Sequence, residues 1–178
     1  MFKKTWFLAL ALVVGGTTPT VAQDDTAQVK EPPCSSPEYG QFDFWIGTWD
    51  LTWGDGDNAG TGSNVISREL DGCVIEENFT SHGDNPFVGN SLSVYDAAAG
   101  IWKQTWVDNA GGYLDFTGGM VGDSMILSRD AVREGEPVKQ RMVFHSIAAD
   151  SLVWDWQSSS DDGQTWKLLW RIKYQRAR

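Results

Sequence analysis

Chemistry has few places to reside in this chain. Its 178 residues hold two histidines, His82 and His145. No G-x-S-x-G nucleophile elbow, HExxH zinc helix or phosphate loop is present. Glu76-Glu77 is a carboxylate pair in sequence, but on a strand the two point to opposite faces. Glu77 then shares a face with Ile75 and Phe79. Two placements are open. Buried there, its pKa would rise and it could act as an acid or base. On a strand edge it would be solvated, the commoner fate of a glutamate. His145 lies in a β-rich run with Val143 and Ile147 on its face, whereas His82 adjoins the solvated turn at Gly83-Asp84. Glu77 and His145 are thus the candidate catalytic residues.

Tryptophan is the louder signal. There are ten, and nine remain once Trp6 of the N-terminal leader is set aside. The indole is bulky and its N–H needs a partner, so a core built of Trp alone is awkward. A hollow β-fold lined by Trp and a few polar groups would instead suit a flat apolar or amphipathic small molecule. Trp53, Trp102, Trp106, Trp154 and Trp156 are the candidate lining, with Gln104 as a polar contact. Alternation does not say which face points inward.

The elements that must position these residues are strands. Gly, Asp and Asn clusters punctuate the chain at short intervals, as at Gly54 to Asp57, Gly83 to Pro86 and Asp161 to Gly163. Between them period-2 rows recur: Trp49, Leu51, Trp53; Trp102, Gln104, Trp106; Leu152, Trp154, Trp156; and a long stripe of Trp166, Leu168, Trp170, Ile172 and Tyr174. Ten strands are expected, near 43–53, 61–70, 73–81, 88–96, 101–108, 112–118, 122–130, 138–148, 151–159 and 164–175. No helical segment separates them, so the topology is an antiparallel meander. Closing the meander into an all-β up-and-down barrel removes its edges; a β-sandwich is the alternative.

Residues 1–22 read as an export signal: Lys3-Lys4, the apolar run Trp6 to Gly16, and small residues at Thr20 and Ala22 before the cleavage point. The run is too short to span a bilayer. Residues 23–38 are a polar, Pro-rich tether and 39–178 the barrel domain. The expected location is therefore periplasmic or secreted, without membrane insertion. In that oxidising space a Cys34–Cys73 disulfide is preferred over two free thiols. Two cysteines alone lack the usual ligand count for a metal. The net charge of −10, more negative by two without the leader's lysines, argues against nucleic acid or an anionic membrane as partner.

Smaller motifs resolve structurally. Ser159-x-Asp161-x-Gly163-x-x-Trp166 matches the Asp-box, whose side chains bond turn amides. Asp55-x-Asp57 starts like a calcium loop, but Ala59 and Ile66 stand where ligands are required. Asn78-Phe79-Thr80 is a glycosylation sequon, relevant only in a eukaryotic secretory host.

Gly47-x-Trp49 on the first strand resembles the lipocalin-type GxW signature. Phe42 to Asp50 (FDFWIGTWD), Asp71-Gly72-Cys73, Tyr95-Asp96, Gly100 to Asp108 and Ser160 to Trp166 together resemble a family of uncharacterised, often exported bacterial lipocalin-like (calycin-type) barrel proteins. The resemblance covers nearly all of residues 34–178. It implies the fold and carries no activity. Nitrobindin-type haem barrels have a first strand of the form GxWxGxG; here Leu51 and Trp53 replace the further glycines, so no haem or other cofactor is expected.

The leading functional expectation is an exported protein that binds a small hydrophobic or amphipathic ligand by burial. A hydrolase or isomerase on the same barrel, using Glu77 or His145, is one alternative. A structural or interaction module with a filled interior is the other. Ligand identity and oligomeric state are left open.

Overall fold

Apolar and polar residues alternate between Gly- and Asp-rich turns, and the alternation builds ten strands. The computed structural model describes residues 32–178; the leader and residues 23–31 of the tether lie outside the described residues. The strands are β1 Gly47–Trp53, β2 Gly60–Glu69, β3 Val74–Ser81, β4 Val88–Asp96, β5 Ile101–Asp108, β6 Tyr113–Val121, β7 Ser124–Arg133, β8 Glu136–His145, β9 Ser151–Ser159 and β10 Lys167–Arg176. Each pairs antiparallel with its sequence neighbour, and β1 pairs with β10 to close a single up-and-down barrel. The sandwich is thereby excluded. One seam is incomplete. β6 meets β7 only over Thr117–Val121 and Ser124–Ser128, so Tyr113–Phe116 have no partner on β7.

On β1, Trp49 and Leu51 are buried while Thr48, Asp50 and Thr52 are exposed, which fixes the inward face. The same parity sends Trp102, Gln104 and Trp106 inward from β5 and Leu152, Trp154 and Trp156 inward from β9.

Two expectations need correction. The first strand starts at Gly47, not near 43. Residues Pro37–Phe42 form a 3-10 turn instead, and Trp45 N–H closes a further turn on Phe42 O at 2.9 Å. This tucks Phe42 and Trp45 beneath one barrel end, where burying two large aromatic groups outweighs extending a strand. The long β10 stripe is also broken. The register shifts between Leu168, which pairs with Gln157, and Trp170, which pairs with Trp156. One extra residue in a strand flips the parity on either side of it. Trp170 accordingly faces the interior, Leu168 is 44% exposed, and Trp166 packs outside under the Arg141 guanidinium at 3.9 Å.

The plugged end is an aromatic stack. Phe42 contacts Trp102 edge-on at 4.8 Å, and Trp45 contacts Phe144 at 4.9 Å. The Arg176 guanidinium lies 3.9 Å over Trp49 and donates to the carbonyls of Ile46 and Phe44. Gly47 is required there: its φ is +129°, and a Cβ would overlap that guanidinium. The Cys34–Cys73 disulfide is present and holds the plug segment to the start of β3. Closing a loop of 39 residues removes about 4 kcal/mol of unfolded-chain entropy. Arg68 reinforces the attachment, donating to Tyr39 O at 3.2 Å and Gly72 O at 2.9 Å and pairing with Asp43.

The Asp-box residues form the β9–β10 turn. Asp161 accepts from the hydroxyls of Ser159 and Thr165 and from the Thr165 N–H, and these bonds hold its carboxyl at a pKa of about 2. Trp166 Nε1 donates to Gly163 O at 3.0 Å, completing a self-contained turn.

Candidate functional site

β1 leaves the plugged end, so the turns after β1, β3, β5, β7 and β9 gather at the opposite end. There the interior is not filled by side chains. A cavity of about 230 Å³ runs into the barrel from this end. Its walls are Trp106, Trp154, Trp156, Trp170, Phe79, Phe87 and Phe116, with Phe144, Ile172 and Tyr174 among the other walls. Its polar groups are Glu77, Gln104, Asp108 and the Tyr174 hydroxyl.

Each wall is held by local chemistry. Trp106 fits because β4 offers Gly89, where a Cβ would overlap the indole. Its Nε1 donates to Asp108 Oδ2 at 3.0 Å. Asp108 Oδ1 takes the amides of Ala110 and Gly112, so its carboxyl stays below the ordinary carboxylate range, chiefly through the Gly112 bond. Trp154 and Trp156 stand two residues apart with ring planes 4° from parallel, a direct product of strand periodicity. Phe116 meets Trp156 edge-on at 5.7 Å.

Glu77 is the chemical centre. It is 7% exposed. Its Oε1 accepts from Asn64 Nδ2 and its Oε2 from the Ser91 hydroxyl, each at 2.7 Å. Asn64 Nδ2 also donates to the Tyr174 hydroxyl at 3.1 Å. Burial pushes the Glu77 pKa from the ordinary 4.5 up to about 7, and the bonds from Ser91 and Asn64 restrain the rise. The Tyr174 phenol is pushed well above its ordinary value by burial and then by Glu77's charge, so it keeps its proton. Gln104 Nε2 donates to the Ser93 hydroxyl at 2.9 Å, which turns its other amide atom, an acceptor, free of that bond.

The other expected site residues are distributed differently. Gln104, Trp106, Trp154 and Trp156 line the cavity together with Glu77. Trp102 does not: it belongs to the plug, donating to Gln41 Oε1 at 3.0 Å, because β5 begins at that end. Trp53 sits behind the wall, edge-on to Trp170 at 5.3 Å and seated over Gly60. His145 ends β8 facing outward. Its Nε2 lies 3.3 Å from Asp155, which Arg171 also holds by two bonds of 2.6 Å. Burial raises the Asp155 carboxyl, but Arg171 and His145 more than offset this and leave it below the ordinary value. His82 is exposed beside Thr61. Neither imidazole reaches the cavity, so neither is placed to ligate a haem or assist Glu77 there. Among the described residues no group of three or more His, Cys, Asp and Glu could hold a metal ion. No helix among them is long and apolar enough to cross a membrane.

Sequence reasoning missed Asn64, Ser91 and Tyr174 around Glu77, and Trp170, Phe79 and Phe116 in the walls. Asn64 shares its face with Ile66, a faint signal, but Ser91 carried none: it alternates with Gly89 and Ser93, while the more apolar face of β4, Leu92 and Val94, is the exposed one. Trp170 alternates with Ile172 and Tyr174 as the sequence stripe reads, but the stripe does not show that this face lines a cavity.

No curated protein matches the chain. A family model does, over residues 41–176, nearly the whole described barrel. The chain belongs to the family described as "Protein of unknown function (DUF1579)".

Proposed function

We propose that this protein is an exported carrier that buries a small apolar or amphipathic molecule within its barrel. The observation that carries this reading is the cavity of about 230 Å³, walled by Trp and Phe, with Glu77 exposed to it. A cavity of about 150 Å³ lined by apolar groups takes up benzene, so this one has room for a ring with a short substituent. Export is supported by the disulfide, which persists in oxidising compartments, and by the lysine-flanked apolar leader.

The test is native mass spectrometry on protein recovered from its own compartment, with calorimetric titration of aromatic probes into stripped protein. The expected result is a retained small molecule or a saturable site. An interior that takes up none of a series of ring compounds under 12 heavy atoms refutes the proposal (about that size fills the cavity at liquid density).

One observation favours a second reading. A carboxyl with a pKa of about 7 in a sheltered cavity is suited to shuttling a proton, as in an isomerisation. Among the described residues the hydroxyls near Glu77 are Ser91, which it already binds, and the Tyr174 phenol, which keeps its proton, so hydrolysis through a covalent intermediate is poorly served. A Glu77→Gln variant that binds ligand but turns over none would favour this reading.

A further inference from the structure

The interior poses an electrostatic problem that the protein's own residues leave unsolved. Glu77 receives two hydrogen bonds, both from neutral groups. Among the described residues no Lys, Arg or His lines the cavity it faces. A buried carboxylate without a cation is costly, and proteins ordinarily pair such a group or keep it neutral. Arg129 turns inward on β7, but it is engaged with Gln140 Oε1 at 3.2 Å and lies near Asp115, and it is not among the cavity walls.

The neighbouring polar groups supply no cation either. Gln104 uses one amide N–H on Ser93 and keeps its carbonyl oxygen as an acceptor and its second N–H as a donor. Asn64, which lies behind the cavity wall, spends its Nδ2 on Glu77 and Tyr174. Asp108 adds a second carboxylate near the mouth. The cavity therefore holds two carboxylates and no cation among the described residues, and its walls are aromatic faces, which themselves attract cations.

We infer that the ligand is a small organic amine, its ammonium group set against Glu77 and its apolar body against the Trp and Phe walls. This rests on the carrier reading and specifies its ligand class. An ammonium supplies three donors, no acceptor and the missing positive charge. The chain's net charge of −10 favours the approach of a cation.

The experiment compares three probes of one size by calorimetry: 2-phenylethylamine, 2-phenylethanol and phenylacetate. At pH 8 the amine is expected to bind about tenfold more tightly than the alcohol, with the carboxylate weakest, as a charge-assisted bond replaces a neutral one. Three titratable groups bear on the pH dependence: Glu77 on β3, Tyr174 on β10 and Asp108 on β5. Tyr174 stays neutral and Asp108 stays ionised from pH 5.5 to 8, because their pKa values are pushed up and down respectively. Only Glu77 among them changes state in that interval. The amine-to-alcohol ratio should therefore fall towards one at pH 5.5. It should also fall towards one in Glu77→Gln at pH 8. Should that variant fail to fold, the wild-type pH series decides alone.

An alcohol or carboxylate that binds as tightly as the amine at pH 8 overturns the amine assignment and leaves the carrier reading intact. A ratio independent of pH overturns it equally. Failure of all three probes removes the carrier reading at this ligand size, and the amine assignment with it.

Discussion

Glu77 should make the stability of the empty protein fall as the medium turns from acid to neutral. Its carboxyl moves from an ordinary pKa of 4.5 in the unfolded chain to about 7 in the folded barrel, mainly through burial. Below about 4.5 both states hold the proton and the group contributes no penalty. Above that the unfolded chain releases its proton while the folded barrel retains it, so stability is lost until the pH passes about 7. The interval from 4.5 to about 7, at about 1.4 kcal/mol per pH unit, gives a loss of roughly 3 kcal/mol. Other groups titrate over the same range, and the Glu77→Gln variant separates them. The amide has nearly the shape of the protonated acid and can exchange hydrogen bonds with Asn64 and Ser91. Urea unfolding of both proteins at pH 4.5 and pH 8 gives four free energies. The variant's advantage over wild type should be larger at pH 8 by roughly 3 kcal/mol. A difference between the two proteins that is the same at both pH values would refute the buried, uncompensated carboxylate and the reasoning built on it.

Other perturbations have equally definite outcomes. Gly47→Ala places a Cβ against Arg176 at a φ of +129°, and should lower stability by about 1–3 kcal/mol in chemical denaturation. Replacing Cys34 and Cys73 together by Ser should cost about 4 kcal/mol, seen as a lower melting temperature that reductant no longer shifts. Gly89→Val fills the space under Trp106, breaks its bond to Asp108, and should cost about 1–3 kcal/mol while changing the tryptophan emission spectrum.

The meander was legible because its evidence is local: the Trp49-Leu51-Trp53 and Leu152-Trp154-Trp156 rows alternate, and Gly-Asp turns bound them. The plug was not. FDFW at 42–45 alternates as a strand would, and only tertiary burial of Phe42 and Trp45 decides otherwise. The bulge at Leu168–Trp170 was invisible for a related reason, since an extra residue shows only in the register against β9. For Glu77, residue type argues for the surface and alternation argues for the interior. The decision lies with Asn64 and Ser91, which are 13 and 14 residues away and become neighbours only once β2, β3 and β4 are paired. The cavity walls were partly legible, because parity groups Trp106 with Trp102 but does not reveal that one belongs to the mouth and the other to the plug.

The unpaired stretch between β6 and β7 has a bearing on how this barrel avoids sticking to copies of itself. A fully laced cylinder offers no template for another chain, whereas Tyr113–Phe116 leave a half-length row of amides and carbonyls free on one side. Arg129 stands at that row, its guanidinium 5.9 Å from the Phe116 ring and 3.7 Å from the Asp115 carboxylate. A charge in that position is a natural guard, because any strand added there would have to strip water from it. The same stretch is where amide exchange should run fastest within the wall, and losing the arginine should turn a tolerated opening into a seed for fibrils.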